Sequence, residues 1–146
     1  PLSGSIERWR TDQRGLEIGG AELYLTARDM LRFGLLFIGG GELEGRRLIP
    51  ADFVEESLSK QVGFEDPPTD PAAALLPDAT GYGYMWWQRD SLGEDMVCAW
   101  GYGGQFICLV PSLDVTVVTQ STIDLNAEYH YQLFDIVDHL IVAPLR

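Results

Sequence analysis

The chain has 146 residues, a hydrophobic share of 46% and a formal net charge of −12. That length suits one domain able to bury about two-thirds of its unfolded surface, and four Trp, six Tyr and six Phe exclude a disordered composition. The acidic balance, with Lys60 the only lysine, argues against nucleic acid or an anionic membrane surface as partner, and no apolar run is long enough for a membrane span.

The chain opens on Pro1 with no leader-like segment, which fits a processed or excised piece and leaves the compartment unassigned. Residues 1–20 carry no periodicity and read as a loop anchored by Trp9. A helix is predicted from Thr26, which can cap it, with Asp29 three positions on completing a pattern like a capping box. Ala27, Met30, Leu31, Gly34, Phe37 and Ile38 recur on one apolar face, and three consecutive glycines end the helix at 39–41. A polar turn follows through Arg47, and Pro50 suits the first position of a second helix reaching about Leu58, so 21–60 reads as helical. Residues 61–81, with four prolines, have no period and read as an irregular excursion.

From Gly81 the pattern turns to β. Strand-like runs cover 82–88, 96–100, 105–110 and 115–120, and Pro111-Ser-Leu-Asp114 is a tight-turn sequence joining the last two. Asn126 then caps a final helix whose stripe is Leu133, Phe134, Val137, Leu140 and Ile141. It stops before Pro144. The expected class is α+β: two helices, an antiparallel meander, and a C-terminal helix packed on the sheet over 82–146.

Three glycines, Gly101, Gly103 and Gly104, stand between two of the strand runs. Glycine in such a place marks positive φ or backbone that something approaches closely. A strand follows, whereas phosphate loops need a glycine turn that opens a helix. A hairpin turn without chemistry fits the stretch equally well. Cys98 and Cys108 flank this turn and would face each other if it is centred near Gly103, but the register is not legible; two buried free thiols are expected. His130 and His139 lie nine positions apart on the final helix, a poor separation for one metal, and read as surface residues.

Leu25-Thr-Ala-Arg-Asp-Met-Leu-Arg-Phe33, Gly81-Tyr-Gly-Tyr-Met-Trp-Trp87 and Gly101-Tyr-Gly-Gly-Gln-Phe-Ile-Cys-Leu-Val-Pro111 occur in that order. Together they resemble the C-terminal part of the serine β-lactamase and penicillin-recognising family, in the class C-like branch of esterases, DD-peptidases and 6-aminohexanoate-dimer hydrolases. The resemblance covers nearly the whole chain from about Gly19, so 1–146 is expected to be the C-terminal portion of such a domain. It implies an acyl-enzyme mechanism with no metal or organic cofactor, built on Ser-x-x-Lys, Tyr-x-Asn or Ser-x-Asn, and Lys-Thr-Gly.

Aligning the third element places Ala99, Trp100 and Gly101 over Lys-Thr-Gly, so Tyr102 falls where the family draws a strand N–H for the oxyanion. By the same resemblance Trp100, Gly101 and Gly103 line the substrate. Ala99 lacks the charge, and Trp100 the hydroxyl, that hold a β-lactam carboxylate, which favours a small ester or amide substrate. Neither Tyr-x-Asn nor Ser-x-Asn occurs in the chain. Ser57-Leu-Ser-Lys60 matches Ser-x-x-Lys as a string, but at the wrong end of its helix, where both side chains are expected to be solvated. The expectation is therefore a chain that supplies the oxyanion strand, lacks the nucleophile and is inactive alone. The rival is a non-catalytic module that reuses this half-fold to bind a ligand or protein. An unpaired sheet edge is expected to drive self-association or pairing with the missing N-terminal segment.

Overall fold

The computed structural model describes residues 8–64, 78–121 and 127–146, the backbone alone for 127–130. Two short strands, β1 (Arg8–Trp9) and β2 (Leu23–Tyr24), pair antiparallel ahead of helix α1 (Ala27–Ile38). The loop expected over 1–20 therefore contains a strand. Trp9 is exposed and anchors by donating its indole N–H to the Ile18 carbonyl at 3.0 Å.

Helix α1 begins as its sequence dictates. The Asp29 backbone N–H donates to Thr26 Oγ1 at 3.1 Å, and the Thr26 hydroxyl donates back to the Asp29 carboxylate at 3.0 Å. Its buried face carries Met30, Gly34, Leu36 and Phe37; Leu31 is exposed, contrary to expectation. Gly34 is required by close approach: a Cβ there would lie 2.5 Å from Thr116 Cγ2 and 2.8 Å from Ile107 Cγ2. A hairpin of β3 (Glu42–Leu43) and β4 (Arg46–Arg47) follows, then α2 (Ala51–Leu58) with Pro50 as its N-cap.

The main sheet has six antiparallel strands: β5 (Val62–Gly63), β6 (Ala79–Gly83), β7 (Trp86–Ser91), β8 (Glu94–Gly101), β9 (Gln105–Val110) and β10 (Val115–Thr119). They lie side by side in chain order, with β5 and β10 at the edges. Two expectations need correction. The excursion at 61–81 contributes β5 and the start of β6, although 65–77 lie outside the described residues. The aromatic run 82–88 is a hairpin, turning at Tyr84 and Met85, where Met85 takes φ 69°. Aromatic content alone marks strand preference and hides a turn that contains no Gly, Asn or Asp.

Both faces of the sheet are covered. On one, Val97, Ile107, Leu109 and Trp86 pack with Met30 and Phe37 of α1 and Val54 of α2. On the other, Met96, Cys98, Phe106, Cys108 and Val110 meet Phe134, Val137 and Val142 of the C-terminal helix. That helix, α3 (Ala127–Ile136), widens into a π-helical stretch over Val137–Val142. The wider turn shifts the stripe: Leu140 is 70% exposed while Val142 enters the core. Asn126, the expected cap, lies outside the described residues. His139 is exposed, and the side chain of His130 is not described.

A buried ion pair ties this helix to the sheet. Arg89 on β7 makes two 2.8 Å bonds to Asp138, the Ser91 hydroxyl donates to the same carboxylate, and the guanidinium sits 4.5 Å over the Phe134 ring. Removing Asp138 takes away both short bonds of the buried guanidinium, whose contact to the exposed Asp78 carboxylate is longer, at 3.7 Å. Asp138→Ala is therefore expected to cost about 3–5 kcal/mol in denaturant unfolding, with the double change Arg89→Met, Asp138→Leu recovering much of it. A loss below about 1 kcal/mol for the single change would mean the pair is hydrated in solution.

Candidate functional site

Strand β8 runs past the end of β7. The β7–β8 register extends from Ser91↔Glu94 to Trp87↔Cys98, whereas the β8–β9 register extends from Val97↔Leu109 to Gly101↔Gln105. Over 99–101 the strand partner of β8 is β9. The Cα atoms of Cys98 and Cys108 are 4.2 Å apart, the spacing of a pair that exchanges no backbone hydrogen bonds. Strand alternation then makes Gly101–Gln105 a hydrogen-bonded pair, and aims the Trp100 N–H and C=O away from β9.

Residues 102–104 close the hairpin. Gly103 and Gly104 take φ 77° and 82°, left-handed backbone that a side chain resists, and both are buried. Tyr102 is 64% exposed, and among the described residues nothing accepts a hydrogen bond from its backbone N–H. The rest of the turn is braced. The Gln105 amide donates to the Gly103 carbonyl at 3.1 Å and the Ser121 carbonyl at 2.6 Å. The Ser121 hydroxyl donates to the Gly103 carbonyl, and the Thr119 hydroxyl to the Gly104 carbonyl at 2.8 Å.

Sequence reasoning places Trp100, Gly101, Tyr102 and Gly103 together; Trp100 and Gly101 end β8, and Tyr102 and Gly103 begin the turn. It missed Thr119 and Ser121. Their signal lay in the β9–β10 register, which sets Thr119 opposite Phe106 and carries the chain on beside Gly104. Cys98 and Cys108 form a disulfide, which corrects the expectation of free thiols: with the turn at 102–104 they are directly opposed.

Trp100 begins an aromatic row on one face of the sheet. It meets Trp87 edge-on at 5.8 Å between centroids, and Trp87 meets Tyr82 edge-on at 4.8 Å. At the neighbouring β6–β7 turn, the Tyr84 hydroxyl donates to the Glu56 carboxylate at 2.8 Å.

Ser57 is also corrected: it is 1% exposed, and its hydroxyl donates to the Phe53 carbonyl at 2.6 Å. This is the i−4 bond of a helical serine. Lys60 is exposed beyond the helix end, with its alkyl chain against Gly81. Strand β7 lies between that contact on β6 and the candidate turn on β8.

The Beta-lactamase family model matches residues 3–139. The chain belongs to that family. Among solved structures it is similar to a Bacillus anthracis protein described as a 6-aminohexanoate-dimer hydrolase, with 28% sequence identity and a TM-score of 0.60. The match covers 90% of this chain and 33% of the other, so the chain spans about a third of that neighbour's length. Among curated proteins none matches. The β-lactamase-family fold follows, in an α+β arrangement with the meander and C-terminal helix the sequence implies.

Two tyrosines near the turn have phenols pushed above their ordinary value of 10.0: Tyr82 by burial, and Tyr84 first by its bond to Glu56, then by the Glu56 charge, then by burial. A raised phenol pKa favours the neutral form in the fold. The stabilisation is thus complete below pH 10.0 and is lost as pH climbs through the folded value above it. Absorbance titration of tyrosinate should show Tyr84 moving down in Glu56→Gln while Tyr82 stays. An unmoved Tyr84 would mean the Glu56 contact is not kept in solution.

Proposed function

We propose that this chain is the oxyanion-strand portion of a β-lactamase-family serine hydrolase acting on small esters or amides. One observation carries the reading: at Tyr102, an exposed residue, the backbone N–H has no acceptor among the described residues, at the end of a strand that outruns its neighbour, in a turn braced by Gln105, Thr119 and Ser121. Negative charge develops on the carbonyl oxygen as a nucleophile attacks, and a fixed backbone donor stabilises it by about 3 kcal/mol. Gly101 and Gly103 leave the approach to that backbone clear of side chains. Ala99 and Trp100 offer no cation or small hydroxyl for a β-lactam carboxylate, which supports the ester or amide choice.

The nucleophile belongs to sequence outside these residues. Among the described residues the Ser57 hydroxyl donates to the Phe53 carbonyl and to no side-chain base, and α2 packs near β6 there. Activation of serine needs a base within hydrogen-bond reach.

In a form of the protein that carries the Ser-x-x-Lys segment, Tyr102→Pro removes the donor and should lower kcat by about two orders of magnitude, while Tyr102→Phe stays close to wild type. Equal losses in two folded variants would assign the role to the phenol and overturn the donor assignment.

The chain alone should turn over neither p-nitrophenyl acetate nor nitrocefin, nor take a fluorophosphonate label. Stoichiometric labelling at Ser57, abolished by Lys60→Ala in a folded variant, would make it a hydrolase in its own right.

A further inference from the structure

The turn at 102–104 stands at the end of a hairpin whose two arms are supported unequally. Strand β9 has β10 beside it as far as Phe106, opposite Thr119. Strand β8 has β7 beside it only as far as Cys98, opposite Trp87. Beyond Cys98, three rungs to β9 lead to the turn: Ala99↔Ile107, Trp100↔Phe106 and Gly101↔Gln105. The disulfide joins β8 to β9 at the very rung where the β7 ladder stops. That rung exchanges no backbone hydrogen bonds, so the sulfur bridge is its covalent substitute.

We propose that the Cys98–Cys108 disulfide is a positioning element for the turn at 102–104, so that the order of the Tyr102 N–H follows the oxidation state of this pair. Any catalytic consequence rests on the oxyanion reading above; the positioning itself does not. Both cysteines are sealed, at 0% and 1% exposure, among Met96, Phe106 and Phe134. An external dithiol therefore reaches them only when the hairpin opens locally. Its thiolate attacks one sulfur, breaking the S–S bond and releasing the other cysteine as a thiolate that takes up a proton. The second reductant thiol then displaces the mixed disulfide, so Cys98 and Cys108 end as thiols and the dithiol as its cyclic disulfide. With the bridge gone, β8 keeps its register but swings about the Cys98 rung, and the N–H beyond it loses its fixed direction.

Amide hydrogen exchange on the full 146-residue chain tests this without any activity assay. Three samples are compared: the oxidised chain, the chain reduced with dithiothreitol, and Cys98→Val with Cys108→Val, which keeps apolar volume and strand preference while removing the bond. The paired amides of Gly101 and Gln105 should exchange at least tenfold faster in both unbridged samples, with those of the β9–β10 ladder unchanged. Equal rates at Gly101 and Gln105 in bridged and unbridged chains would overturn the proposal. So would an acceleration spread evenly over β7 to β10, or unfolding of both unbridged samples, since either makes the bond a general staple. If the valine variant alone fails to fold, the reduced chain decides. Failure of the Tyr102→Pro experiment leaves this result standing, so the two readings fail separately.

Discussion

The register of β9 against its two neighbours is the constraint on which the rest depends. Phe106, Ile107, Cys108, Leu109 and Val110 are all buried, alternately on the two faces. Fully burying each large apolar side chain contributes about 1.5–3 kcal/mol. A slip of one residue would exchange the α1 and α3 faces and set Phe106 against a site shaped for Ile107. The same register opposes Cys98 to Cys108, ends the hairpin at Gly101 and Gln105, and brings Thr119 beside the turn. Core packing and site geometry are thus one specification.

The C-terminal helix enters through that strand. Phe106 stacks on Phe134 at 4.7 Å between ring centroids, and the guanidinium of the Arg89–Asp138 pair also covers the Phe134 ring. In a chain of net charge −12, a buried arginine neutralises one carboxylate and lets the π-helical segment lie close to the sheet. The pair contributes orientation more than net stability, because desolvating both charges offsets much of their attraction.

The legible parts of the sequence were those governed by local chemistry. Thr26 and Asp29 cap α1, three glycines end it, and Pro111 with Asp114 turns β9 into β10, each by a short-range rule. What was hidden depended on pairing. The β6–β7 turn has Tyr84 and Met85 where a turn residue would be expected, so its position emerges only from strand register. The disulfide required the same register. Burial of Ser57 arises because α2 lies against Gly83, where a Cβ would be 2.7 Å from the Ser57 carbonyl oxygen. None of these is a property of a single window of sequence.

The candidate site was half legible for a related reason. A donor made of backbone has no side chain to announce it, and its trace is the glycine that clears the approach. Gly101, Gly103 and Gly104 mark the turn, while the braces that hold it come from Gln105, Thr119 and Ser121, whose types are common and whose spacing is set by two hairpins. The opposite holds for nucleophiles, which have a residue type and a spacing and so invite false matches. Ser57 and Lys60 satisfy the string, yet the hydroxyl is bonded to its own helix and the ammonium is in water. A pattern of reactive residues acquires meaning only with a base at hand and a donor facing the same atom, and the Ser57 hydroxyl is engaged instead by the Phe53 carbonyl.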